Sequence, residues 1–165
     1  MQYLLTAICL LVLATLAPTK ENRVPNQPLS IHAKCRGSEK CVFSGKDMFI
    51  DISIANHGLS PVGFPSALLQ MTGPSIQLID RRTHAEISLP TNPGDLDLVG
   101  DLTSIPSGQS LDLEWVIDPS EIEHFAKPEI DISAKITVAC EINVDGKMED
   151  FQATDTLHIT GHAHH

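Results

Sequence analysis

The sequence predicts an all-β fold, an antiparallel β-sandwich of about seven or eight strands with one short helix. Three observations lead there. Apolar and polar residues alternate with period two in several separate stretches, the pattern of strands with one buried and one wet face. Gly, Pro, Asn and Asp clusters punctuate those stretches, as turns do. Only one place carries a full helix-start signature, at Asp118-Pro119. Short strands separated by turns, without alternating helices, are accommodated by two packed antiparallel sheets.

Taken in order, residues 29–35 alternate with their odd positions inward. Residues 48–54 place Met48, Ile50, Ile52 and Ile54 on one face, with Asp51 and Ser53 on the other. Residues 68–71 form a candidate strand and 75–80 a clearer one. The Pro/Gly-rich stretch 89–110 reads as loop, with a short strand near 98–103. Leu111, Leu113, Trp115 and Ile117 then alternate with Asp112 and Glu114. Asp118-Pro119-Ser120-Glu121 supplies an N-cap, a proline at the first helical position and an acid in the first turn. It should start a helix that ends near Phe125, before Pro128.

The longest alternation runs from Ile130 to Val144, with every even position apolar or Cys. Val144-Asp145-Gly146-Lys147 follows and reads as a type I′ hairpin turn, because Asp-Gly tolerates the positive φ required. If Val144 faces Lys147, Cys140 faces Phe151, Ala134 faces Leu157, Thr137 faces Thr154 and Ser133 faces His158. Apolar meets apolar on one face and polar meets polar on the other, an agreement that a one-residue slip destroys. Asp155 opposite Ile136 is the exception, so a bulge or a satisfied carboxylate is expected there.

The chain has 165 residues, one domain plus a processing segment. Residues 1–17 carry no charged side chain and contain an almost unbroken apolar run at 4–16. That run is too short to span a bilayer and is followed by small residues and a polar, Pro-containing stretch, the layout of a signal peptide. Cleavage after Ala17 or after Ala14 fits, and an uncleaved buried helix is the rival reading. The expected organisation is a signal peptide at 1–17, a linker at 18–28, a sandwich at 29–160 and a His-rich tail at 161–165. With Cys9 in the leader, Cys35, Cys41 and Cys140 remain. An oxidising compartment favours pairing, and the short polar Gly-containing loop between Cys35 and Cys41 favours that pair. A bridge from Cys140 to either is the alternative. The expected location is secreted or periplasmic, without membrane insertion once the leader is removed.

The segments Asp51-Ile-Ser-Ile-Ala-Asn56-His-Gly and Ile105-Pro-Ser-Gly-Gln-Ser-Leu-Asp-Leu-Glu-Trp115 resemble a layout found in immunoglobulin-like sandwiches of bacterial exported proteins. In that layout a strand ends in Asn before a turn, and a Pro-Gly turn feeds a later strand. The resemblance spans roughly residues 29–160. It implies an immunoglobulin-like fold and says little about function. The chain departs from antibody-type domains, having no tyrosine after residue 17 and different cysteine spacing around Trp115.

Lys and Arg number 11 against 21 Asp and Glu, a net charge of −10. That balance argues against nucleic-acid binding and against a polybasic membrane anchor. No Gly-x-Ser-x-Gly elbow, His-Glu-x-x-His or Walker loop is present, so no enzymatic activity and no cofactor are expected. Cys140 lies on the apolar face of its strand, which favours a buried or bridged cysteine over a Cys–His dyad. His162, His164 and His165 are the metal candidates, since neutral imidazole binds zinc, copper or nickel. The loop with Asp95, Asp97 and Asp101 partly matches a calcium loop. Val99 and Pro106 fall where oxygen ligands are needed, so the EF-hand match fails.

Recognition is the remaining class. Leu59, Val62 and Phe64 are the candidate partner-binding patch on a long irregular segment, unless Val62 and Phe64 cover one end of the core. The function expected is therefore an exported non-enzymatic module that binds a protein partner, of inhibitor, immunity or assembly-accessory type. The acidic charge suits a basic partner. An exported metal-binding protein is the alternative.

Overall fold

The alternating stretches become strands in a computed structural model that describes residues 27–38, 40–125 and 129–162. In chain order these are β1 (Leu29–Cys35), β2 (Cys41–Phe43), β3 (Met48–Asn56), β4 (Val62–Phe64), α1 (Ser66–Thr72), β5 (Ser75–Asp80), β6 (Glu86–Ser88), a 3-10 turn at Leu96–Leu98, β7 (Thr103–Ile105), β8 (Ser110–Ile117), α2 (Pro119–Glu123), β9 (Glu129–Val144) and β10 (Lys147–His162). The leader proposed for residues 1–17, nearly all of the 18–28 linker, and His164 and His165 lie outside the described residues.

One sheet has the antiparallel order β1-β3-β8, and the other the order β2-β10-β9-β4-β7 with β5 on β9 and β6 on β5. Both sheets feed one apolar core. Ile50, Ile52 and Ile117 enter it from the first, while Phe64, Ile132 and Phe151 enter from the second, each at most 2% exposed. Phe64 and Phe151 meet edge to face at 6.4 Å, a favoured aromatic geometry. Burial of each such side chain contributes about 1.5–3 kcal/mol, so the buried even positions of β3 and β9 are the main stabilising force.

The β9–β10 hairpin has the register its sequence predicts. Val144 faces Lys147, Cys140 faces Phe151 and Ala134 faces Leu157. Asp145 and Gly146 take φ of 51° and 82°, as the type I′ turn requires. Thr137 and Thr154 share a 2.9 Å hydroxyl hydrogen bond on the wet face. No bulge relieves Asp155, since the ladder continues through Asp155 and Ile136 without a skip. Instead its carboxylate accepts from Thr156 N at 2.8 Å and from Ala33 N at 2.8 Å. One acceptor group thereby ties β10 to β1, the edge of the other sheet.

The Cys35–Cys41 disulfide closes the same side. It holds β2 in the direction of β1, so β2 lies parallel on β10, with Cys41 beside Ile159 and Phe43 beside Gly161. The expected purely antiparallel arrangement is therefore corrected to a mixed one. Strand number rises to ten among the described residues, because β2, β4, β6 and β7 have three residues each, too few for alternation to register.

Two further expectations change. Residues 68–71 belong to α1, not to a strand: Ala67, Leu68, Leu69, Gln70 and Met71 are good helix formers, and Leu69 turns its side chain into the core. A second short helix thus joins the predicted one. That one, α2, starts as expected, with Asp118 Oδ1 accepting from Ser120 N at 2.8 Å and Pro119 beginning the helix. The strand expected near 98–103 forms at Thr103–Ile105, after the 3-10 turn. β10 also extends to His162, into the segment read as tail.

Candidate partner-binding surface

The loop after β3 is built by one buried amide. Asn56, 1% exposed, donates from Nδ2 to Ile105 O at 2.8 Å and to Ser60 O at 2.9 Å, and its Oδ1 accepts from Gly58 N at 2.8 Å. A buried amide with these partners is structurally satisfied. The Asn-His-Gly segment is therefore a pinned turn that delivers the chain into β4.

That delivery separates the three residues of the sequence-derived patch. Val62 and Phe64 alternate with Gly63 on β4 and are 1% and 0% exposed, whereas Leu59 is 99% exposed. The patch is corrected accordingly: Val62 and Phe64 close one end of the core, and Leu59 stands alone at the loop tip. A single exposed Leu is ordinary on a protein surface.

Side-chain charge is lopsided at one end of the sheets and mixed at the other. The hairpin turn of β9 and β10 bears exposed Glu141, Asp145, Glu149 and Asp150 around Lys147. The loop with Asp95, Asp97 and Asp101 lies beside it, because Gly94 approaches Thr72 and Leu68 of α1, and Leu102 packs on Gly63 of β4. At the opposite, disulfide end Lys34, Arg36, Lys40 and Lys46 stand exposed among the equally exposed Asp47, Glu114 and Asp118. Arg36 joins Asp51 at 2.8 Å and Glu114 at 2.7 Å, and lies 5.6 Å from the centre of the Phe49 ring, within cation–π range.

A third polar group sits on the open face of the larger sheet. His158 Nε2 is 2.7 Å from Asp131 Oδ1 and 2.8 Å from Arg81 Nη1, and Arg81 reaches the same carboxylate at 3.2 Å. Protonated, the ring nitrogen donates to Asp131; unprotonated, it accepts from Arg81. The hydrogen bond from His158 is the main cause holding the Asp131 carboxyl below its ordinary value of 3.8, with the Arg81 charge adding to it. Sequence reading paired Ser133 with His158 but missed Asp131 and Arg81. Asp131 is two residues along the same strand face, whereas Arg81 comes from the far end of β5.

Cys140 is the free cysteine among the described residues, and burial pushes its thiol up to about 12. It lies under α1 in a cleft of about 220 Å³ lined also by Pro65, Leu68, Leu69, Thr72 and Val99. Among the described residues no group of three or more His, Cys, Asp or Glu is placed to hold a metal ion. His162 ends β10 in register with Glu129. No described helix is long and apolar enough to cross a membrane.

No protein-family model matches the chain, and no curated protein matches it. Among solved structures it is similar to a Northeast Structural Genomics Consortium target, SoR45. That likeness has 12% identity over 85% of this chain and 97% of the other, with a TM-score of 0.44. It is also similar to a protein from Archaeoglobus fulgidus, at 11% identity over 79% of this chain and 94% of the other, with a TM-score of 0.35. Likenesses this distant name no family.

Proposed function

We propose that the chain is an exported, non-enzymatic binding module that recognises a basic protein partner. The observation that carries this reading is the uneven placement of charge. Asp95, Asp97, Asp101, Glu141, Asp145, Glu149 and Asp150 are exposed around the hairpin end with Lys147 among them. Such a field attracts a cationic surface and raises its association rate. Export is supported by the apolar leader sequence and by the Cys35–Cys41 disulfide, a bond of oxidising compartments. An immunoglobulin-like sandwich is the fold reading that accompanies it. Its support is the split first strand, with β1 antiparallel to β3 in one sheet and β2 parallel to the last strand in the other.

The test is capture from native extract on the immobilised protein at low salt, followed by elution at about 0.5 M salt, where the Debye length falls to a few Å. A basic protein retained and then released is the expected result. Reversing Glu149 and Asp150 to Lys should abolish the capture. Recovery of no partner at low salt sinks the reading, and so does a partner whose retention ignores both salt and charge reversal.

A further inference from the structure

The larger sheet contains an interruption along one side of β9, bounded by Pro65 where the chain leaves and by Pro74 where it returns. β9 pairs with β5 through Thr137 and with β4 only from Asn143. Between those points the chain leaves the sheet to form α1, and residues 138–142 of β9 meet no strand on that side among the described residues. The hairpin turn decides which backbone groups are left over. Val144 and Lys147 close a two-residue turn as a hydrogen-bonded pair, so even residues of β9 bond β10 and odd residues face away from it. Arg81 N donating to Asp131 O at 2.9 Å follows that rule. Ala139 and Glu141 therefore direct their N–H and C=O groups into the interruption, and both residues are exposed. Unpaired strand edges of this kind are templates for β-addition.

Two features say what would fill it. First, the 220 Å³ cleft adjoins the interruption, with Leu68 and Val99 on its walls. Its space equals roughly seven waters, room for an apolar side chain. Second, Glu141 lies directly opposite Asp150 on the wet face, and both are exposed. Theirs is a non-hydrogen-bonded pair, the closer of the two antiparallel types, and like charges placed so are destabilising. Neither is joined to a cation among the described residues. A cation arriving on a third strand would relieve that repulsion.

We infer that the interruption between β4 and β5 is a docking slot for a short extended segment of a cationic protein. An apolar side chain of that segment enters the cleft beneath α1, and a neighbouring Lys or Arg lies over Glu141 and Asp150. Its backbone completes the ladder at Ala139 and Glu141. A second copy of this chain is a poor occupant, because the cations of its disulfide end stand on or beside β1 and β2, strands already paired within the fold. The inference rests on the partner-binding reading above and locates that reading's site.

The experiment is a titration of the ¹⁵N-labelled protein with acetyl-Lys-Val-Lys-Val-Lys-amide, followed by NMR and hydrogen exchange. The expected result is shifted resonances at Leu68, Val99 and Cys140, with exchange at Ala139 and Glu141 slowed by roughly tenfold. Glu141→Lys should weaken the peptide by roughly fivefold, and Val99→Asp should abolish docking. Both side chains are solvent-facing, and an otherwise unchanged spectrum verifies the fold. The Glu-Val-Glu-Val-Glu analogue should not bind. Absence of shifts at millimolar peptide overturns the slot, as does binding indifferent to both substitutions.

Capture from extract separates this slot from the broader reading. A basic protein captured equally by wild type and Val99→Asp overturns the slot and leaves partner binding standing. Peptide docking without any captured partner supports the slot and removes the broader reading.

Discussion

The two open sides of the molecule, where the edges of the two sheets face each other, are closed by different means. On the β1–β10 side a disulfide joins Cys35 to Cys41, and the Asp155 carboxylate bonds one backbone N–H from each strand. Those links are covalent or charge-assisted, and each is short in reach. On the β8 side the closure is α1, which leaves the sheet after β4 and lies against β8. Gln70 Nε2 donates to Glu114 O at 2.9 Å there, and Gly73 lies on the Trp115 ring. No side-chain cap holds the first turn of α1, and no acid there or base in its last turn complements the helix dipole. One side is thus locked, whereas the other is covered by an element of low intrinsic stability. Low local stability is where binding segments are usually found.

The largest effect should come from the covered side. Gly73 has φ of 79°, and a Cβ there would collide with the Trp115 indole. Gly73→Ala combines backbone strain with overpacking and should cost about 3 kcal/mol in urea unfolding. It should also lift α1, so that a thiol reagent at pH 8 reaches Cys140. In the wild type, a thiol raised from 9.0 to about 12 holds roughly a thousandfold less thiolate than an ordinary one. A Gly73→Ala protein with wild-type stability and an equally silent Cys140 would show that α1 is not what covers that side. Next in size is the locked side. Replacing Cys35 and Cys41 together by Ser frees a short loop and should cost about 2–3 kcal/mol, leaving Cys140 as slow to react as before.

The Asp155 link can be dissected further. Asp155→Ala removes the acceptor of both Ala33 N and Thr156 N and should cost about 2 kcal/mol. Asp155→Asn keeps one amide oxygen and should cost less. Equal losses in the two variants would mean that the link needs the intact carboxylate, because Asn preserves the side-chain volume and one acceptor oxygen.

Legibility in the sequence follows the same division. The hairpin could be read because alternation over a long stretch and an Asp-Gly turn fix register independently, and the two agreed. Asp155 is the one misfit in that register, so the sequence itself marks it as a carboxylate that needs a partner. Cys35–Cys41 followed from a short polar loop in an oxidising context. The covered side stayed hidden for physical reasons. Leu68, Leu69 and Met71 suit a buried strand or a helix equally over so few residues, and the break between β4 and β5 exists only once both pair with β9. Val62 and Phe64 looked like loop because Gly and Pro flank them, yet three residues of β4 suffice to place both in the core. The cleft beside Cys140 needs residues from α1, the acidic loop and β9 together, which no local pattern announces.

The smallest effect belongs to neither side but calibrates both, because it lies on the open sheet face where water screens every contact. His158 holds the Asp131 carboxyl below 3.8 by donating a hydrogen bond. A carboxyl depressed in the folded state is protonated more readily in the unfolded chain. The cluster therefore stabilises the fold above the ordinary Asp value, and that contribution disappears as pH falls through the lowered one. His158→Ala should move the Asp131 midpoint up toward 3.8 in a carboxyl NMR titration at low salt, and Arg81→Ala should move it less. Added salt should shrink the difference, because these groups are exposed. If the His158→Ala midpoint stays where it was, the 2.7 Å contact does not persist in solution. The bond from Ala33 N to the Asp155 carboxylate, part-buried between two strands, should by contrast survive the same salt.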